Sequence, residues 1–228
     1  MTSGPICYIC KKNRYVRISC LVFNPFKTKT MKKLSLLFLV MMLALAACGP
    51  RQQKAETEET LPVALLEDDN QQAFFNNLYS LCGQSFAGRE VYMIEGNESW
   101  AHLDFVMHVR ECNDDAILIP FHLSEDHSRT WMFLVEEGKL RFRHDHRDED
   151  GTPDEVTLYG GYATQGGTAF VQHFPADEYT CQLIPYACTN EWIVEIAEDL
   201  STFTYKLTRD GVLRFEAAFD LTQPLPKQ

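Results

Sequence analysis

Positive charge is scarce downstream of Cys48. Thirteen lysines and arginines stand there against 32 aspartates and glutamates, a net charge of −19 where the whole chain carries −11. Nucleic acid binding needs clustered cations that displace the counterions condensed on phosphates, and an anionic bilayer surface is read by polybasic segments. The scarcity of cations excludes both. Nucleotide binding lacks its motif as well. The glycine pairs in Tyr159-Gly160-Gly161-Tyr162 and Gly166-Gly167 mark a flexible, exposed loop, with no lysine or serine at phosphate-loop spacing. H-E-x-x-H is absent, and in Gly83-Gln84-Ser85-Phe86-Ala87-Gly88 the second glycine comes one residue too late for a nucleophile elbow. No internal repeat or low-complexity block interrupts the chain.

Long apolar runs are also missing, with one short exception. Lys32 and Lys33 precede the apolar stretch Leu34 to Leu45, and small residues lead into Cys48. A basic start, a short apolar segment and a small-residue cleavage site make an export signal. The run is shorter than the ~20 residues a bilayer-spanning helix needs. Leu45-Ala46-Ala47-Cys48 resembles the lipobox of bacterial lipoproteins. The resemblance implies a diacylglycerol thioether on Cys48, cleavage before it, and acylation of the new amino terminus. It places the protein in the bacterial cell envelope, held by lipid. Gly49 stands where aspartate would favour the inner membrane, so the outer membrane is expected in a Gram-negative cell.

Residues 1–30 are basic and carry Cys7, Cys10 and Cys20. An extension of that kind does not belong before a signal peptide, so translation is expected to start at Met31. Cys7-Tyr8-Ile9-Cys10 has no second pair at zinc spacing. The expected organisation is therefore an upstream extension (1–30), a signal peptide (31–47), a lipidated polar tether (48–67) and one globular domain (68–228). About 160 residues suffice for one domain that buries ~70% of its unfolded surface.

Within that domain the spacing of Phe74, Phe75, Leu78 and Leu81 predicts a helix over Asn70 to Leu81, stopped near Gly83. The period then changes to two. Strands are expected over His102–Cys112, around Ile117–Leu123, Trp131–Val135 and Leu140–Phe142, and at Glu155–Tyr159, Thr168–Phe174, Glu191–Ala197, Thr202–Thr208 and Val212–Phe219. Ala176 to Ile184 reads as a short helical or irregular insert. Glu137-Gly138 and Asp210-Gly211 mark hairpins. Nine or ten short strands in meander order behind one helix predict a mainly β fold: an antiparallel up-and-down barrel (calycin-like), or a two-sheet sandwich. The barrel is preferred because closure removes exposed edges. A small barrel either fills its interior or holds one small ligand.

Cys82, Cys112, Cys181 and Cys188 remain in the exported body. An even number suggests disulfides, with three possible connectivities. Cys82–Cys112 and Cys181–Cys188 are preferred, the second closing a short loop through Pro185; free buried thiols are the alternative.

The chemically richest segment is Leu140 to Gly151, LRFRHDHRDEDG. On a continuing strand His144 and His146 share the side of Leu140 and Phe142. Two imidazoles spaced so can converge on a transition metal, with Asp148 and Asp150 adding oxygen ligands from the turn. Named motifs fail. An EF-hand loop aligned on Gly151 puts His146 first and Thr157 twelfth, where acids are needed. The H-x-H-x-D of a metallo-β-lactamase-like site is followed by Glu149 rather than histidine. The plainer reading is a polar hairpin end whose histidines sit at the rim. Arg129, Trp131 and Tyr159 flank the cluster and would line a pocket with a carboxylate-binding arginine if strand pairing brings them together. The other histidines, His102, His108, His122, His127 and His173, look scattered.

The body also resembles a family of exported bacterial proteins, through Met107-His108-Val109-Arg110-Glu111-Cys112, Ile119-Pro120-Phe121-His122, Ser128-Arg129-Thr130-Trp131, and HDHRDEDG followed by Val156 to Gly161. The resemblance spans most of 82–222 and implies no particular activity. Two functions are compatible with these residues. One is a non-enzymatic envelope lipoprotein whose barrel binds a small molecule or a protein partner. The other is a metal-binding protein or metal-dependent hydrolase built on His144 and His146.

Overall fold

A computed structural model describes residues 66–226 and, apart from them, the backbone of two short antiparallel strands, Cys10–Lys11 (β1) and Arg14–Tyr15 (β2). The chain divides into two units, Met1–Thr57 and Glu58–Gln228. The signal segment, Cys48 and nearly all of the tether lie outside the described residues. No helix among the described residues is long and apolar enough to cross a membrane.

The second unit opens with helix α1, Asp69–Tyr79. Asp68 caps it, its carboxylate accepting the N–H groups of Asn70 (2.9 Å) and Gln71 (3.0 Å), which satisfies two of the free donors at a helix start. Gln71, Phe74, Phe75 and Leu78 form its buried stripe, the 3.6-residue period expected of one face packed on a core.

Eleven strands follow: β3 (Ser85–Met93), β4 (Phe105–His108), β5 (Glu111–Cys112), β6 (Ala116–Leu123), β7 (Asp126–Glu136), β8 (Lys139–His146), β9 (Tyr159–Tyr162), β10 (Val171–Pro175), β11 (Asn190–Ile196), β12 (Thr202–Arg209) and β13 (Val212–Asp220). A short helix α2, Glu178–Leu183, and a 3₁₀ turn at Pro185–Ala187 separate β10 from β11. All pairings are antiparallel, and β5 is a spur on β6. Around the sheet the strands follow chain order from β3 to β9 and from β10 to β13, and β13 returns to pair with β3. The sheet is thus nearly closed into an up-and-down barrel rather than split into a sandwich.

Its seam lies between β9 and β10. There two backbone bonds, Thr164 N–H to His173 O and Asp177 N–H to Gly160 O (both 2.9 Å), span the gap. Gly161 permits this approach, since a Cβ there would sit 1.8 Å from the Pro175 carbonyl oxygen.

The two hairpins marked in the sequence form. Asp210 and Gly211 both have positive φ (53° and 72°), as do Glu137 and Gly138 (53° and 73°), which matches the twist of antiparallel strands. Two other expectations are revised, and one strand was not expected. His102–Cys112 breaks into β4 and β5, because Val109 N–H turns to Gln84 O and Arg110 N–H to Leu118 O. Tyr159–Tyr162, expected as an exposed glycine loop, is strand β9 with both glycines buried, while most of Glu155–Tyr159 is irregular. Ser85–Met93 is a strand that alternation did not announce, since only Phe86 within it is fully buried.

One end of the barrel is filled. Phe133, Phe142 and Phe174 pack with centroids 4.7–6.1 Å apart, and Phe74 of α1 reaches Phe133 at 6.1 Å. Polar groups of α1 complete the plug: Gln71 Oε1 accepts Leu140 N–H (2.9 Å) and Asn77 Nδ2 donates to Ala169 O (2.8 Å). Cys82 is bonded to Cys112 and Cys181 to Cys188. The Cys82–Cys112 bond, with a sequence separation of 30, ties α1 to the β4–β5 edge and stabilises by roughly 3–4 kcal/mol on the chain-entropy account.

Candidate ligand-binding site at the open end of the barrel

Strand register decides what faces the other end. Directly paired residues share a face of the sheet, and the inward row runs Ile119 on β6, Trp131 on β7, His144 on β8 and Tyr159 on β9. One step towards the rim, Phe121, Arg129 and His146 form the next row. Across the barrel stand Trp192 on β11, Tyr205 on β12 and Phe215 on β13. These residues, Ile119 apart, bound a cavity of about 400 Å³. That lies within the range of small-molecule sites, ~300–1,000 Å³. All three tryptophans of the sequence, Trp100, Trp131 and Trp192, line it.

The floor is an aromatic stack. Trp131 lies nearly parallel to Tyr205 (4.8 Å, 13°) and to Phe121 (4.6 Å, 16°). His144 stacks on Tyr159 at 4.6 Å. The hydrogen bonds of His144 fix its tautomer. Nδ1 lies 3.2 Å from the Tyr159 carbonyl, which only accepts, so Nδ1 carries the proton. Nε2 then accepts the Tyr205 hydroxyl at 2.9 Å. Burial holds His144 down to about 3, so it is neutral at neutral pH. Burial also raises Tyr159 to about 12 and Tyr205 well above the phenol range. His146 is lowered by burial and then by Arg129; its Nε2 meets the Tyr159 hydroxyl at 3.0 Å. Burial therefore keeps His144, Tyr159 and Tyr205 uncharged at neutral pH, and they are hydrogen-bonded within the wall.

The mouth is different. Arg129, Arg209 and Arg214 line it, and no aspartate or glutamate is among the lining residues. Arg129 is paired with Asp126, whose carboxyl is lowered to about 2 by hydrogen bonds from Ser128 and Arg129, against burial that raises it. Arg209 Nε donates to Asn190 Oδ1 (2.7 Å), and its guanidinium lies over the Tyr186 ring (5.0 Å).

Five of the residues singled out in the sequence thus meet in one cavity: Arg129, Trp131, His144, His146 and Tyr159. Asp148 and Asp150 do not join them. They lie on an exposed turn, where Asp150 Oδ1 accepts Thr152 N–H at 2.9 Å. Among the described residues no group of three or more histidines, cysteines or acids is placed to hold a metal ion. Both nitrogens of His144 are already engaged within the wall.

Sequence reasoning did not find the opposite wall. Tyr205 and Trp192 carry the parity of their buried neighbours and look like ordinary core. Arg209 and Arg214 straddle the Asp210-Gly211 hairpin. Arg214 faces inward through a β-bulge: Leu207 pairs with Phe215 and Thr208 with Leu213, leaving Arg214 as the extra residue.

The apparently scattered histidines also come together in part. His108 Nε2 lies 3.0 Å from His122 Nδ1, the His122 ring stacks on His127 at 3.8 Å, and Ser85 Oγ meets His108 Nδ1 at 2.7 Å. Ser85 pairs with His108 and Val106 with His122 across β3–β4–β6, so the cluster comes from non-local register. Burial lowers His108, and His122 to about 4.

No protein-family model matches the chain, and no curated protein is similar to it.

Proposed function

We propose that this protein is a lipid-anchored bacterial envelope protein, of the outer membrane where the cell has one, whose barrel binds a small molecule in the cavity at its open end. One observation carries the reading. The barrel is packed with phenylalanines and plugged by α1 at one end, yet the other end keeps about 400 Å³ open between tryptophans. A fold that fills its interior so fully elsewhere leaves a concave space here, walled by buried aromatic rings. Ligand sites combine this kind of apolar concavity with a few convergent polar groups.

Binding is favoured over catalysis by the state of the buried imidazole. General acid–base catalysis works best with a pKa near the operating pH, and His144, held down to about 3, is far from it. The lipobox supplies the address, and the acidic surface keeps the body soluble beside an anionic membrane.

The test is chemical extraction. Protein purified without a tag from its own envelope, washed and denatured, is expected to release one small molecule at near-stoichiometric amount by mass spectrometry. Leu207→Phe, which thickens the cavity wall, is expected to release at least tenfold less while unfolding at a similar temperature. Equal trace recovery from both proteins would remove the ligand-binding reading.

A further inference from the structure

We infer that the cavity selects a flat aromatic molecule bearing a terminal oxyanion, with Arg214 as the charge-reading residue; the inference rests on the ligand-binding reading and deepens it. The body carries a large excess of acid, yet three guanidinium groups and no carboxylate line this mouth. Such a local reversal of sign attracts anions into a low-dielectric cleft.

The three arginines are not equivalent. Arg129 has Asp126 as its counter-ion. Arg209 has a neutral partner in Asn190 and a ring beneath it. The Arg214 side chain has no hydrogen-bond or ion-pair partner among the described residues, and its Nε is buried from solvent. A buried unpaired donor on a cation is costly, and an oxyanion relieves that cost through charge-assisted bonds. The planar fork of arginine fits carboxylate or phosphate with two parallel hydrogen bonds. The bulge that turns Arg214 inward supplies the geometry.

The other half of the ligand follows from the floor. Trp131, Tyr205 and Phe121 stack on one another and are almost wholly buried, so with Trp100 and Trp192 they give the cavity a wall of close-set rings. Edge-to-face and offset contacts with such a wall favour a flat ring over a bulky aliphatic body. A charged head at Arg214 and Arg209 with a ring against Trp131 fits both surfaces at once.

The probes are 2-naphthoate, 2-naphthyl phosphate and the neutral 2-naphthamide, titrated against the lipidated protein in detergent after its own ligand has been washed out. Tryptophan emission reports binding, since every tryptophan lines the cavity. At least one of the two anions is expected to bind tenfold or more tighter than the amide, and whichever binds tighter names the oxyanion. Arg214→Gln is expected to weaken that anion at least tenfold and to leave the amide unchanged. Arg209→Gln provides a second variant should the first fold poorly, with a smaller loss. Equal binding of anion and amide, or loss of both together in a folded Arg214→Gln, overturns the charge assignment while leaving a small-molecule cavity. No binding of any probe to a protein that does release an envelope ligand overturns the ligand class. No probe binding together with no released ligand overturns the underlying reading as well.

Discussion

Cys48→Ala is expected to lose all incorporated palmitate and to retain the peptide that precedes position 48. In the wild-type protein the first residue found by mass spectrometry should be Cys48 itself, carrying a diacylglycerol thioether. The reason is physical as well as sequence-based. Each buried methylene contributes roughly 0.8 kcal/mol, and a single myristoyl chain binds only marginally. Two or three chains on one residue therefore make a lasting anchor. The residues after Cys48 carry 32 acids against 13 bases, so no polybasic surface supports residual binding to anionic lipid. An unmodified Cys48 in cells, or palmitate persisting in the alanine variant, would remove the proposed address.

The second large effect is on acid stability. His144 is held down to about 3 by burial, whereas in the unfolded chain it titrates near the ordinary ~6.5. Its folded value lies below its unfolded one, so between these values the unfolded state binds the extra proton. Stability is complete above about 6.5 and falls by ~1.4 kcal/mol per pH unit below it, until the folded-state value is reached. From pH 7 to pH 4 this one group removes about 3 kcal/mol, a large share of a typical total of ~5–15 kcal/mol. His146, His108 and His122 shift in the same direction, with smaller effects because they are more exposed. Asp126, lowered to about 2, acts in a separate window, its contribution being lost only below the ordinary carboxylate range near 4. Urea denaturation at a series of pH values should show the midpoint falling steadily from pH 6.5 to 4. His144→Gln should fall about one proton's worth less steeply. A midpoint flat over that range, or an unchanged slope in the variant, would contradict a neutral buried imidazole.

The barrel was legible in the sequence because it is built from local pairs. Most strands pair with the next one along the chain, the β4–β5 break, the β9–β10 seam and the β13–β3 closure apart, and alternation with Glu137-Gly138 and Asp210-Gly211 turns encodes such pairs directly. What failed was β3, with charged residues at Arg89 and Glu90, and β9, whose Gly160 and Gly161 read as loop until the close approach of Phe142 and Pro175 backbone explains them. Half the cavity was legible for the same reason as the barrel. Arg129, Trp131, His144, His146 and Tyr159 lie on three strands, with β7 and β8 joined by one tight turn. The other half comes from β11–β13, far along the chain, and parity alone gives Tyr205 or Trp192 no mark that separates a cavity wall from packed core. Arg214 was hidden more deeply, since a bulge inverts the side it would otherwise face. The outer cluster of Ser85, His108, His122 and His127 depends on β3–β4–β6 register and was equally out of reach.

The central claim is that the open end of this barrel holds a small molecule between its tryptophans. A crystal structure of the protein purified from its own envelope tests it most directly. The account predicts density for one compact ligand packed against Trp131, within hydrogen-bonding distance of Arg214 and bounded by Trp192 and Tyr205. Side chains collapsed into that space, with Arg214 paired to a carboxylate of the protein itself, would contradict it.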